Sequence, residues 1–291
     1  MTVPARPTPL FADIADVSRR LAETGYLPDT PIRRKGAHRP RPEKPLLVEG
    51  PAGVGKTELA RAVAQATGSG LVRLQCYEGV DEARALYEWN HAKQILRIQA
   101  GSGDWEATKT DVFSEEFLLQ RPLLTAIRRT EPTVLLIDET DKADIEIEGL
   151  LLEVLSDFAV TVPELGTLTA TRAPFVLLTS NATRELSEAL KRRCLYLHID
   201  FPTPELERRI LLSRVPELPE HFAEELVRII GVLRGMQLKK VPSIAETIDW
   251  GRTVLALGLD TIDDAVVAAT LGVVLKHQSD QQRATGELRL N

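Results

Sequence analysis

The chain has 291 residues, of which 43% are hydrophobic and 27% charged, and its formal net charge is -6. This balance excludes a disordered chain and predicts a soluble globular protein of one large or two ordinary domains. The negative net charge argues against nucleic acid or an anionic membrane as a partner. The two cysteines, Cys76 and Cys194, do not make a disulfide framework, and they lack the paired spacing that would suggest a zinc site. No apolar run reaches the roughly 20 residues of a membrane span, and no apolar leader follows Met1, so we expect a cytoplasmic protein.

Residues 1–44 are predicted to contain one amphipathic helix and a linker. The apolar residues Phe11, Ile14, Val17 and Leu21 follow helical spacing, and Gly25 is expected to end the helix. The stretch that follows is rich in proline, lysine and arginine, which favours an extended basic linker.

From residue 45 onward, short apolar runs alternate with helical stretches. This alternation predicts an α/β fold in which helices cover both faces of a parallel sheet, and we assign residues 45–201 to it. The apolar runs are interpreted as buried strands and the stretches between them as helices. The predicted strands are 46–48, 71–76, 134–137, 175–178 and 194–199, and the clearest helices are 58–67 and 146–158.

The first predicted strand leads into a segment with the spacing G-x-x-x-x-G-K-[ST] of a phosphate-binding loop. Its glycines let backbone N–H groups converge on phosphates, and the N-terminus of the next helix favours anions. Lys56 would bring positive charge to the β and γ phosphates of ATP, and Thr57 would offer a hydroxyl to Mg²⁺. The alternative is a glycine turn beside a surface lysine. The predicted nucleotide-binding residues are Gly50, Pro51, Ala52, Gly53, Val54, Gly55, Lys56, Thr57 and Glu58.

The third predicted strand ends at two carboxylates, Asp138 and Glu139. A carboxylate beside a phosphate loop can hold Mg²⁺ directly or through its waters, which is the role we predict for Asp138. Its neighbour can deprotonate a water for attack on the γ-phosphate, so Glu139 is the predicted general base. The alternative is an ordinary strand followed by a polar turn. The pair also argues against a small-molecule kinase, which activates no water.

Two further segments complete a resemblance to the AAA+ ATPases, a P-loop NTPase family. A strand over 175–180 leads to Asn181, and 190–194 places Arg192 and Arg193 before the last strand. The resemblance implies that Asn181 is the sensor-1 residue, which helps to position the attacking water. It also implies that Arg193, or else Arg192, is an arginine finger for the γ-phosphate of a neighbouring subunit. Without the resemblance, arginines at a helix end would be interpreted as partners of the helix dipole.

Residues 73–79, 85–90 and 242–250 closely resemble the CoxD-like group of the MoxR family within the AAA+ ATPases. The long segment 77–132 and a predicted hairpin at 160–168 are similar to the insertions of that family. The resemblance implies a chaperone that forms a hexameric ring and acts with a von Willebrand factor A domain protein. It further implies a molybdenum hydroxylase of the carbon monoxide dehydrogenase type as the client.

Residues 202–291 are predicted to form an all-helical lid domain. One helical face comprises Leu226, Ile229, Ile230 and Leu233, and a second comprises Ile262, Val266, Ala269 and Val273. One departure from the family lies here, because the position of its sensor-2 arginine is occupied by Ala245. Either another cation such as Arg252 replaces that arginine, or the lid responds to nucleotide differently.

Two alternative functions stay open at this point. The first is a nucleic-acid motor or loader, which the acidic charge and the lack of a basic, aromatic stripe disfavour. The second is a nucleotide-switched binding module with negligible turnover, which the alanine at position 245 permits.

Overall fold

The computed structural model describes residues 11–28, 44–100, 111–259 and 261–288. The predicted basic linker falls almost entirely on residues 29–43, which lie outside the described residues. Within the described ranges, no helix combines the length and apolar character that crossing a membrane requires.

By its contacts, the described chain divides into two compact units. The first unit comprises the described parts of Met1–Gly50 and Lys56–His198. The second comprises Pro51–Gly55 together with the described part of Ile199–Asn291.

A five-stranded parallel sheet forms the centre of the first unit, with the strand order β2-β5-β8-β1-β9. The parallel α/β fold predicted from the alternation of strands and helices is therefore confirmed. Two antiparallel pairs, β3–β4 and β6–β7, accompany the sheet, and the second is the predicted hairpin. The strands are β1 (Leu46–Glu49), β2 (Gly70–Gln75), β3 (Tyr87–Trp89), β4 (Leu118–Gln120), β5 (Thr133–Asp138), β6 (Ala159–Val162), β7 (Gly166–Thr169), β8 (Phe175–Ser180) and β9 (Leu195–His198).

The prediction that all five strands are buried is correct for the middle of the sheet and wrong for its edges. Every residue of β5 is buried, and β8 is buried apart from its first residue. In β2, only Leu74 is buried, and Leu71 is 38% exposed. In β9, only Leu197 is buried. The difference arises because β2 and β9 each pair with one strand only, and sequence alone does not indicate which strands lie at the edges.

Helices cover the sheet and make up the second unit. The predicted N-terminal helix is present as α1, with Val17 and Leu21 buried on one face. Its N-cap residue Asp13 accepts a hydrogen bond from the backbone of Asp16. The helices are α1 (Ile14–Glu23), α2 (Lys56–Thr67), α3 (Glu82–Ala85), α4 (His91–Ala100), α5 (Pro122–Arg128), α6 (Ile145–Asp157), α7 (Glu188–Arg193), α8 (Pro204–Arg214), α9 (Glu220–Gly235), α10 (Ile244–Ala256), α11 (Asp264–Thr270) and α12 (Gln278–Glu287).

The core of the second unit forms around α9 and the fully buried Trp250 of α10. The first predicted face of this region is buried as expected. The second predicted face is correct only in part: Ile262 and Val273 are half-buried against this core, whereas Ala269 is exposed. Asp263 caps α11 just before its first residue, and a 3₁₀ helix at Leu271–Val273 follows, so the helical spacing changes inside the predicted segment. The residues buried there are Val267, Thr270, Leu271, Val274 and Leu275.

Ala245 is the second residue of α10, and its short side chain is exposed. Arg252 lies seven residues further along the same helix, which is about two turns and therefore the same face. Its guanidinium is exposed and lies 3.4 Å from a carboxylate oxygen of Asp249. The cation suggested as a replacement thus lies on the same helix face as Ala245 and is paired there with an acid.

Candidate functional site

The predicted phosphate loop follows β1, and the helix α2 begins within it at Lys56. Gly53 and Gly55 have φ angles of 75° and 94°, in the left-handed region that favours glycine. The side chain of Val54 is buried, whereas Ala52 is exposed and Pro51 half-buried. The helix begins one residue before the predicted Thr57, and Glu58 lies in its first turn. The loop therefore has the glycine-dependent curvature that the sequence predicted.

Lys56 is the buried cation of the site, with 6% of its surface exposed. Its Nζ donates to the carbonyl oxygen of Gly50 at 2.7 Å and to Oδ1 of Asn181 at 2.8 Å. Burial lowers the pKa of Lys56, and the carboxylates of Asp141, Asp138, Glu139 and Glu49 oppose that shift. The ammonium group therefore lies in a poorly hydrated position where it would interact strongly with an anion.

Asp138, the last residue of β5, is 2% exposed and lies beside Thr57. The Thr57 hydroxyl donates to the Asp138 carboxylate, with distances of 3.0 and 3.2 Å to its two oxygens. Thr179 of β8 donates to Oδ1 at 2.5 Å, and Arg73 of β2 donates to Oδ2 at 2.6 Å. The two predicted Mg²⁺ ligands are therefore adjacent.

Glu139 follows β5 directly and has a φ of 56°, in the left-handed region. Its backbone N–H donates to the hydroxyl oxygen of Thr179 at 2.8 Å. Its carboxylate oxygen Oε2 accepts from Nε2 of Gln75 at 2.9 Å and from Nζ of Lys142 at 2.8 Å. A left-handed residue that is not glycine is costly, and such residues concentrate at functional sites.

Asn181 follows β8 and is fixed through its own backbone by Asp141. The carboxylate of Asp141 is buried and accepts from the backbone of Asn181 at 3.2 Å. It also accepts from the backbone of Thr183 at 3.0 Å and from its hydroxyl at 2.5 Å. Burial raises the pKa of Asp141, but these hydrogen bonds outweigh it and the pKa is lowered. The intervening residue, Ala182, has a φ of 57°.

Asp141→Asn is expected to lower the free energy of unfolding by about 1–3 kcal/mol at neutral pH. The new amide can still accept from one backbone N–H, but its NH₂ group would face the two donors of Thr183. Denaturant titrations of both proteins measure the difference. Because the pKa of Asp141 is lowered, its stabilising effect is complete above the usual value of 3.8 and disappears as the pH falls through the lowered pKa. The difference in unfolding free energy between the two proteins should therefore be constant above pH 3.8. If it already decreases with falling pH above that value, this account is contradicted.

Arg192 and Arg193 end α7 at the surface, and both are exposed. With the described residues, neither guanidinium forms a hydrogen bond or an ion pair. The helix itself is held in place, because the buried carboxylate of Glu148 in α6 accepts from the backbone of Ser187 at 2.9 Å and pairs with Arg184 at 2.5 Å. The two arginines are thus presented outward on a fixed element.

The donor chemistry of this site fits Mg²⁺ bound together with a nucleotide. A hydroxyl and a carboxylate are hard oxygen ligands, and Mg²⁺ typically takes one or two protein ligands and completes its shell with water and phosphates. In the described ranges, no group of three or more His, Cys, Asp or Glu side chains is arranged to hold a metal ion. The structure therefore offers a shared metal–phosphate site.

The structure brings Lys56, Thr57, Asp138, Glu139 and Asn181 together at the carboxyl ends of three neighbouring strands. It does not join Arg192 or Arg193 to them. Five further residues contact the group directly and were given no role from the sequence. Their only sequence signal is a polar side chain in the last residues of a strand or shortly after it. These residues are Arg73, Gln75, Asp141, Lys142 and Thr179.

Comparison with known proteins places these residues within a wider family. A family profile described as "AAA domain (dynein-related subfamily)" matches residues 45–194, just over half of the chain. Among curated proteins, "Chaperone protein ClpB 1" of Synechocystis is 28% identical over 254 residues, which is 81% of this chain and 25% of that protein. "Chaperone protein ClpB 2" of Thermosynechococcus vestitus is 33% identical over 161 residues, 53% of this chain and 16% of that protein. The chain thus spans about a quarter or less of the length of these relatives.

Solved structures of RuvB from Thermotoga maritima are also similar to this chain. One RuvB mutant has a TM-score of 0.48 at 16% identity, and the match covers 99% of this chain and 75% of that one. The RuvB Holliday junction branch migration motor of that organism has a TM-score of 0.43 at 18% identity, and the match covers 96% of this chain and 68% of that one.

Proposed function

Because this chain belongs to the AAA domain family, in its dynein-related subfamily, we propose that it binds ATP with Mg²⁺ and hydrolyses it to ADP and phosphate. One observation carries the proposal. The buried Lys56 lies beside Asn181, and Thr57 lies beside Asp138, which the general-base candidate Glu139 follows directly. These are the groups that phosphate binding, metal binding and water activation require.

Each residue has a defined task in the proposed reaction. Lys56 supplies charge to the phosphates, and Thr57 and Asp138 hold the metal ion, which when bound would neutralise charge on the transferred phosphoryl group. Asn181 aligns the attacking water, and a carboxylate oxygen of Glu139 takes its proton. As that water oxygen bonds to the γ-phosphorus, the bond from phosphorus to the ADP oxygen breaks. The contacts from Gln75 and Lys142 orient the Glu139 carboxylate.

The proposed enzyme works as a ring, which we take to be a hexamer, in which Arg193 completes the site of a neighbouring subunit. Arg192 is the alternative finger. Support comes from the outward position of both guanidinium groups at the end of α7 and from their lack of partners among the described residues. An arginine supplied in trans stabilises charge on the transferred phosphoryl group only after assembly.

We further propose that the ring remodels a client protein as a chaperone. The similarity to ClpB chaperones supports this class of activity. The finer assignment to the CoxD-like group of the MoxR family rests on residues 73–79, 85–90 and 242–250. With that assignment come the von Willebrand factor A domain partner and the molybdenum hydroxylase client. The cytoplasmic location also stays a prediction.

Trapping a client with Glu139→Gln tests the chaperone proposal. A subunit that binds ATP but hydrolyses it slowly is expected to retain its client, and ATP should increase the recovery of a molybdenum hydroxylase or a von Willebrand factor A domain protein. Mass spectrometry of the captured proteins measures this. The matched control is Lys56→Ala, which should recover neither protein with ATP. Recovery of DNA instead, with turnover stimulated by DNA, would favour a nucleic-acid motor and contradict the proposal.

A further inference from the structure

Two polar side chains of β2, Arg73 and Gln75, lie beside the candidate site, and the proposed reaction gives Arg73 no task. They are two residues apart and therefore project from the same face of the strand. β2 is an edge strand that pairs with β5, and the register places Gln75 opposite Asp138. The arginine is consequently brought to the carboxylate that we propose as a metal ligand.

Arg73 contacts both acids of the site, one directly and one through Gln75. Its Nη2 donates to Oδ2 of Asp138 at 2.6 Å and also to Oε1 of Gln75. The amide nitrogen of that glutamine donates to Oε2 of Glu139 at 2.9 Å. One guanidinium nitrogen thus connects the metal ligand to the proposed general base.

The position of Arg73 on Asp138 conflicts with metal binding there. The Asp138 side chain is 3% exposed, and its Oδ1 accepts from Thr179 and Thr57. Its Oδ2 accepts from Nη2 of Arg73 at 2.6 Å and lies 3.2 Å from the Thr57 hydroxyl. A divalent cation bound to Oδ2 would compete with the Arg73 hydrogen bond for its lone pairs, and the two positive charges would repel each other at short range. The arginine side chain is 42% exposed, so it can turn towards solvent.

We propose that Arg73 is an internal competitor of Mg²⁺ for Asp138, a role that rests on the proposed function. The guanidinium neutralises Asp138, and binding of the metal with nucleotide displaces it. Arg73 thereby sets how strongly the metal favours nucleotide binding.

The test measures the affinity for a non-hydrolysable ATP analogue in Mg²⁺ and in EDTA. The quantity compared between variants is the affinity in Mg²⁺ divided by the affinity in EDTA. In Arg73→Gln, the ratio is expected to rise about five- to tenfold, the range for losing a charge-assisted hydrogen bond that is partly screened by solvent. The affinity in EDTA should stay unchanged, because Arg73 competes with the metal and not with the phosphates. Arg73→Met provides a second variant of similar bulk if the glutamine variant is not folded by circular dichroism.

Two controls separate this competition from unspecific effects. Arg121→Gln removes another arginine that is about two-fifths exposed and ion-paired at 2.6 Å, but its partner is Glu88. Its ratio should equal that of the unmodified chain. Arg73→Lys keeps the positive charge, and its ratio should stay within about twofold of the unmodified chain.

An unchanged or lower ratio in Arg73→Gln, with nucleotide still bound, overturns the competitor role and leaves the proposed function intact. The same conclusion follows if Arg73→Lys raises the ratio as much as Arg73→Gln does, since charge is then not the cause. By contrast, an unmodified chain that binds no nucleotide under either condition overturns the proposed function itself.

Discussion

Arg193→Ala is expected to lower ATP turnover by about 10³- to 10⁵-fold, the range for removing an arginine finger. The residue ends α7 at the surface and forms no ion pair with the described residues, so its removal leaves the fold unaffected. Nucleotide affinity should change little, because the guanidinium acts on charge that develops in the transition state. Phosphate release under saturating ATP measures the turnover.

Two comparison variants identify which arginine acts. Arg192→Ala should retain most of the turnover, and a larger loss there than in Arg193→Ala would transfer the role to Arg192. Arg172→Ala removes another exposed arginine, located between β7 and β8, and should have no effect.

Mixing the subunits tests whether the active site is shared. A ring that contains both Arg193→Ala and Glu139→Gln subunits has some interfaces at which an intact Glu139 faces an intact Arg193. Turnover should therefore recover on mixing, although each variant alone is inactive. If both variants are inactive and mixing restores nothing, the finger does not act in trans.

Glu139→Gln is expected to lower turnover by about 10²- to 10⁴-fold, as for loss of a general base. The amide keeps the size of the side chain and can still accept from Gln75, so ATP affinity should remain within a fewfold of the unmodified chain. Phosphate release and equilibrium binding of ATP measure the two quantities. The matched control is Glu146→Gln in the first turn of α6, an exposed glutamate whose replacement should not alter either quantity.

The outcome also separates an enzyme from a binding module. If the unmodified chain and Glu139→Gln turn over equally slowly while both bind ATP, then Glu139 activates no water. The nucleotide-switched module would then be the better description.

The sequence predicted the phosphate loop and the carboxylates of the site because these residues belong to recognisable patterns along the chain. A glycine loop after one strand and polar residues after two others must converge if the strands are parallel neighbours. Lys56 and Asp138 follow from these patterns alone, whereas Asn181 was reached through the resemblance to the AAA+ ATPases. The patterns could not indicate Arg73 or Gln75, because their contact with the acids depends on β2 lying beside β5.

The errors in the helical region have a related physical origin. A pattern of apolar residues indicates a helical face only where the spacing is constant. Asp263 delays the start of α11, and the 3₁₀ turn that follows has three residues per turn, so the buried face shifts to Val267 and its neighbours. Neither change has a strong signal in the sequence.

The left-handed backbone at Glu139 and Ala182 also limits which amino acids these positions can accept. Valine, isoleucine and threonine are disfavoured there whatever their chemistry, because a branched Cβ is strained at positive φ. Asparagine, aspartate and glycine tolerate that conformation. In a saturation library at position 139, the loss of activity in the branched variants would therefore combine the loss of the carboxylate with backbone strain. Comparing aspartate with the native glutamate there would give a cleaner measure of how far the reacting carboxylate must extend from the chain.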